Sequence, residues 1–166
     1  CLHDLVHRPI PARFAGKLRV VHQSSAPLAA PRRPSPRWFE VCVAGHLRDE
    51  KDSLRPALAA RLVPPESRLR IVHLGKAHDA DWQRRAAAEA ASNPRFVWRG
   101  EVPGWQVRRQ FARSHAMVIS SVMEGGANIV SEAIVCGVPV IASRIDGNIG
   151  LLGEDYDGYY PVRDER

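Results

Sequence analysis

Two glutamates flanking seven residues are the most chemically suggestive feature of this chain. The stretch Glu124-Gly-Gly-Ala-Asn-Ile-Val-Ser-Glu132 follows Ser120-Ser121 at the end of an apolar run. Gly125 and Gly126 let the backbone approach a ligand closely. A helix expected from Ala127 to Cys136 aims free N–H groups and a partial positive charge into the loop before it, which suits a phosphate. Eight residues of helix span about 12 Å, comparable to the distance between sugar and ribose in a nucleotide-sugar. A carboxylate accepts two sugar hydroxyl hydrogens, so Glu124 and Glu132 can hold the two ends with the helix tip between them. The bland alternative is a pair of solvent-facing helix glutamates. The glycine pair, the strand before and Gly137-Val-Pro-Val-Ile-Ala-Ser143 after all weigh against it. Two other phosphate patterns are absent: no G-x-x-x-x-G-K-[ST], and no G-x-G-x-x-G after a strand.

Several elements must position that loop. Strands are expected at Phe39–Ala44, Leu69–Leu74, Arg95–Trp98, Ala116–Ser120 and Val138–Ala142, with an earlier one at Leu18–His22. Helices alternate with them: Ser53, as a cap with Pro56 in the first turn, to about Leu62; Asp79 or Asp81, as a cap, to Ala91; Trp105–Arg113; and the helix before Gly137, which stands where a left-handed C-terminal cap would. Short continuous apolar strands alternating with helices imply an α/β fold with a doubly wound parallel sheet, Rossmann-like, covered on both faces. Ligands then bind at the carboxyl ends of the strands, in loops 45–52, 75–80, 100–104, 121–127 and 143–150. The four prolines at 27, 31, 34 and 36 exclude helix and central strand and predict an extended linker.

Composition narrows the class. The 166 residues are 45% hydrophobic and 25% charged, which suits one globular core. No apolar run approaches the ~20 residues of a membrane span. Cys1, Cys42 and Cys136 have no metal-ligand spacing, and the latter two lie in apolar runs, so a reducing cytoplasm is the expected compartment. The net charge of +6 is uneven, with Arg8, Arg13, Lys17, Arg19, Arg32, Arg33 and Arg37 before residue 40. No stretch interleaves aromatic and basic residues, so no nucleic-acid partner is expected. Asp79-Ala-Asp81 has the look of a metal-binding triplet, but it precedes a helix and reads as a cap, so no metal is expected. The chain's three tyrosines, Tyr156, Tyr159 and Tyr160, are expected to pack at the domain edge, and His73, His78 and His115 to be structural or exposed.

Taken in order, residues 39–152 resemble the C-terminal domain of family 4 GT-B glycosyltransferases. The pieces are Gly45-His-Leu-Arg-Asp-Glu-Lys51, Leu74-Gly75, Gly100-Glu-Val, Ser114-His-Ala-Met-Val, the E-x7-E and the Gly137–Ser143 stretch. That resemblance implies the C-terminal half of a GT-B fold. Lys51 would neutralise the donor diphosphate, with Gly45 in the same loop. Glu124 would bind the transferred sugar, the amides of Gly125, Gly126, Ala127 and Asn128 would bind sugar and phosphate, and Glu132 would bind the ribose. The base would lie near Arg99–Val102. His46 stands where most of the family has Arg, with Arg48 nearby to compensate, and Asn128 replaces an apolar residue.

The wording HLRDEKD, MEGGANIVSEA and SRIDGNIGLLGEDYDGYYPV is similar to the selenosugar synthases of the selenoneine pathway. This narrower resemblance implies transfer of N-acetylhexosamine from a UDP-N-acetylglucosamine-like donor to selenophosphate, with His46, Arg48 and Arg144 offering cations to that acceptor. An ordinary hydroxyl acceptor, and a binding-only piece inactive by itself, are the alternatives. Residues 1–25 are read as the tail of an acceptor-side domain, 26–37 as a linker, and 38–166 as the nucleotide-sugar-binding domain, truncated at its end. No cofactor beyond the donor substrate is expected.

Overall fold

In a computed structural model describing residues 1–166, six parallel strands form one sheet in the order β3-β2-β1-β4-β5-β6. The strands are β1 Phe39–Ala44, β2 Leu69–Leu74, β3 Phe96–Trp98, β4 Ala116–Ile119, β5 Val140–Ser143 and β6 Tyr159–Tyr160. The helices are α1 Arg55–Arg61, α2 Ala80–Ser92, α3 Gly104–Arg113, α4 Asn128–Val135 and α5 Asp146–Leu152. The order reverses between β1 and β4, so the loops after those two strands face each other across a switch point.

Strand alternation sends side chains to two cores. Val41, Val43, Ile71 and Phe96 meet Ala57 and Ala60 of α1 and Trp82 and Ala86 of α2. Cys42, Val72, Met117 and Val140 meet Phe111 of α3 and Val130 and Ala133 of α4. Right-handed crossovers running in opposite directions from the centre force this division. Burial pushes the Cys42 and Cys136 thiols up, as fits thiols packing as small hydrophobes. On the α1 side Val118, Ile141 and Tyr160 line an open apolar hollow with Phe39 and Ile71. No helix is long and apolar enough to cross a membrane.

Local chemistry explains the element ends. Asp79 caps α2, its carboxylate accepting from the Trp82 N–H at 2.9 Å, while Asp81 pairs with Arg84. After α4, Gly137 at φ +69° receives the chain; its N–H donates to Ile134 and that of Val138 to Ala133. These are the two bonds of a Schellman cap. The proline stretch lies extended along α3, where the Arg33 and Ser35 N–H groups donate to the carbonyls of Ala112 and Arg113, each at 2.9 Å.

Four expectations need correction. Leu18–His22 is not a strand: it joins no sheet edge, and Val21 is 67% exposed. Ser53 does not cap α1; Leu54 precedes the helix without a side-chain cap. The region 143–150, expected as loop, contains most of α5. The sheet does not end at the Val138–Ala142 stretch: β6 follows at the edge, pairing Tyr159 with Ala142 and Tyr160 with Ser143, so these tyrosines do pack at an edge. The N-terminal segment packs against α5, with His3 buried against Gly150 and Arg8 donating to Asp146 and Glu154 at 2.8 Å each.

Candidate functional site

The loops after β1 and β4 are stitched together by backbone and serine contacts. The Val122 N–H donates to the Glu50 carbonyl at 2.9 Å, and the Ser120 hydroxyl lies 3.0 Å from the carbonyls of both Lys51 and Asp52. Freed from capping duty, the buried Ser53 hydroxyl donates to the His46 carbonyl at 3.3 Å and accepts from the Arg48 N–H at 3.4 Å. His73 on β2 supports the same loop from below: its Nε2 lies 2.9 Å from the Gly45 carbonyl oxygen. Burial pushes its pKa down to about 4, so the ring is neutral and donates to that carbonyl.

This stitching brings Lys51 to Glu124. The ammonium donates to Glu124 Oε1, and the Ser121 hydroxyl donates to the same oxygen at 2.6 Å. Both side chains are largely sheltered, with 20% of Lys51 and 9% of Glu124 exposed. With two protein donors on Oε1, Oε2 is the oxygen left to accept from a ligand. The remaining charge of the pair is shielded from water, so losing either partner strands the other.

Beside this pair lies a cleft of about 330 Å³ lined by Gly45, His46, Arg48, Lys51, Ala127 and Asn128, with Gly75, Glu101 and Val102 on its far wall. The tip of α4 enters it without a side-chain cap, so amide N–H groups and the positive end of the helix face the cleft. His46 Nδ1 accepts from the Lys76 N–H at 3.3 Å, which leaves Nε2 as a donor. Glu132, one turn into α4, accepts from Asn128 Nδ2 at 2.6 Å, so the two side chains act as one unit at the cleft lip.

Most of the residues singled out in the sequence therefore converge. Gly45, His46, Arg48, Lys51, Ala127 and Asn128 share the cleft; Glu124 joins it through Lys51, and Glu132 through Asn128. Gly125 and Gly126 form the turn between Glu124 and α4, with Leu2 packed against Gly126. Arg99 stands apart: it is exposed, and Glu101 and Val102 line that wall instead. Arg144 also lies elsewhere, beside Glu154 and over the Tyr159 ring. Sequence reading missed Ser53, Ser143 and Asn148 as supports, since nothing in serine or asparagine spacing signals a buried hydrogen bond.

A parallel sheet of this order, with a helix tip and acidic and basic side chains at its switch point, is the Rossmann-like half of the GT-B glycosyltransferase fold. Residues 39–165 match the family model described as glycosyl transferases group 1, and the chain belongs to that family. Three solved structures illustrate the likeness of fold. The lipopolysaccharide outer core galactosyltransferase WaaB, in its apo form, superposes with a TM-score of 0.70 at 20% identity, covering 95% of this chain and 45% of that one. HepE from Anabaena, in complex with UDP-glucose, gives 0.66 at 18% identity, covering 77% and 36%. TarM gives 0.69 at 16% identity, covering 88% and 29%. The chain thus spans less than half the length of these proteins. No curated protein sequence matches it.

Proposed function

We propose that this chain is the donor-binding half of a glycosyltransferase and that it takes a UDP-sugar in the cleft beside α4. The observation that carries this reading is the Lys51–Glu124 pair, two residues 73 positions apart meeting at an uncapped helix tip. Lys51 and the α4 amides would receive the diphosphate, where negative charge builds as the glycosidic bond breaks. Glu124 Oε2 would accept from a sugar hydroxyl and Glu132 from the ribose, with the base against Glu101 and Val102. HepE was solved with UDP-glucose, which supports a uridine donor for this fold. Because Lys51 supplies the cation and Asp79 and Asp81 are engaged in capping and an arginine pair, binding is expected to persist in a chelator.

Calorimetry with UDP tests the donor assignment. Binding in the low-micromolar to millimolar range is expected, and Glu132→Ala should weaken it about tenfold, the cost of losing a charge-assisted hydrogen bond. Unchanged affinity would remove Glu132 from the site.

For the acceptor, the sequence wording supports selenophosphate receiving an N-acetylhexosamine, with His46 donating through Nε2. A hydroxyl acceptor is the second reading. It is favoured by the engagement of Arg48 with Glu50 at 3.1 Å and of Arg144 with Glu154 at 3.8 Å, which leaves fewer cations for a trianion. Incubating the full-length parent with UDP-N-acetylglucosamine and either selenophosphate or a panel of alcohols, then weighing the products, separates the two.

A further inference from the structure

Three buried residues outside the cleft are linked by hydrogen bonds to Glu124, with the line passing through Ser121 by way of its carbonyl on one side and its hydroxyl on the other. Asn148 of α5, fully buried, donates from Nδ2 to the Ser143 carbonyl at 2.8 Å and to the Ser143 hydroxyl at 3.2 Å. The Ser143 hydroxyl, accepting there, sends its own proton to the Ser121 carbonyl at 2.5 Å. The Ser121 hydroxyl in turn holds Glu124 Oε1 at 2.6 Å. Ser121 and Ser143 are likewise completely buried.

The Ser121 peptide needs this support. The ladder between β4 and β5 ends at Ile119 and Ala142, so Ser121 lies two residues beyond the last strand pair. Its carbonyl is buried where no backbone partner reaches it, and the Ser143 hydroxyl supplies the missing donor. The amide orientation of Asn148 is set too: a flip would turn its oxygen onto the Ser143 carbonyl. Gly147 adds a second constraint from the same helix, because its Cα sits so close to the Glu124 carbonyl that a Cβ would lie 2.3 Å from that oxygen.

We propose that Asn148, acting through Ser143 and Ser121, is the positioning residue that sets the Glu124 carboxylate, leaving Oε2 aimed at the donor sugar. The proposal rests on the reading of Glu124 as the sugar-side carboxylate. Because Glu124 would serve the sugar and Lys51, α4 and Glu132 the nucleotide, loosening this chain should cost affinity for the sugar and not for the nucleotide.

The test compares UDP and UDP-N-acetylglucosamine binding by calorimetry for the chain and for Ser143→Ala, Ser143→Thr and Asn148→Ala. The 13C resonance of the Glu124 carboxyl, assigned by its loss in Glu124→Gln, is followed in the ligand-free protein. Ser143→Ala is expected to lower the preference for UDP-N-acetylglucosamine over UDP about tenfold, keep UDP affinity within about twofold, and shift or split the Glu124 resonance. Ser143→Thr, which keeps the hydroxyl, should restore all three. A resonance that stays in place, or a parallel loss of both affinities, overturns the proposal. If the unaltered chain binds the two ligands equally, the sugar-side role of Glu124 fails, and the resonance alone decides whether the positioning chain exists. Should Asn148→Ala fail to fold, Ser143→Ala, which removes one oxygen, carries the test.

Discussion

Lys51 and Glu124 each stand out in the sequence for a separate reason, but the contact between them comes only from the place where they meet. A lysine in a polar loop is ordinarily solvated; here it sits 20% exposed against a carboxylate that is 9% exposed. Removing Lys51 takes away the cation proposed for the diphosphate. Lys51→Ala should lower UDP affinity by about tenfold or more while leaving uridine binding unchanged, measured by calorimetry with both ligands. His73 acts at the same scale through its neutrality. Its folded pKa is depressed to about 4 from an ordinary 6.5, mainly by burial. The unfolded chain therefore takes up a proton before the folded one does. Stability from this group is complete above about pH 6.5 and is lost as pH falls toward 4, by up to about 1.4 kcal/mol per pH unit. Thermal melts across that window should show the slope, and His73→Gln should flatten it.

At the scale of elements, α4 and α5 do opposite jobs. The tip of α4 is left uncapped and faces the cleft, while its far end is closed tightly at Gly137. The turns of α5 contain Gly147 and Gly150, poor helix formers that nonetheless fit because neighbours crowd them. A methyl group at position 147 would collide with the Glu124 backbone, which cannot yield as a flexible side chain could. Gly147→Ala should therefore destabilise the protein by about 1–3 kcal/mol, seen as a lower midpoint in denaturant, and should weaken UDP-N-acetylglucosamine binding with it. The same crowding explains why α5 was not foreseen: its propensity is low, and its residues were chosen by contact with Glu124 and His3 rather than by periodicity. The Leu18–His22 segment failed for the converse reason: a good strand pattern without a neighbouring sheet edge finds only Cys1 as a distant backbone partner, through the Val21 N–H and the Arg19 carbonyl.

For the molecule as a whole, the sheet order decides where chemistry can occur. Reversal between β1 and β4 opens the only point at which the Lys51 loop and the Glu124 loop can share a ligand. This chain spans less than half of its solved structural neighbours, and it offers the one cleft proposed above for the donor. Our expectation is that the 166-residue chain binds UDP-N-acetylglucosamine yet transfers no sugar by itself to either acceptor class. Product analysis by mass spectrometry, with the full-length parent run in parallel, checks this; turnover by the chain alone would show that it carries a complete active site.

Five of the six strands and the parallel doubly wound class were legible in the residue order, because apolar runs and glycine stops act within a few positions of themselves. The grouping of Gly45, His46, Arg48 and Lys51 with Asn128 was legible too, since carboxyl-end loops of a parallel sheet must converge. The pairing of Lys51 with Glu124, the neutral support under Gly45 from His73, and the line from Asn148 to Ser121 belong to the tertiary structure alone. Each is a hydrogen bond between residues 22 or more positions apart, or one whose worth depends on burial, and neither distance in space nor exclusion of water is written in local sequence.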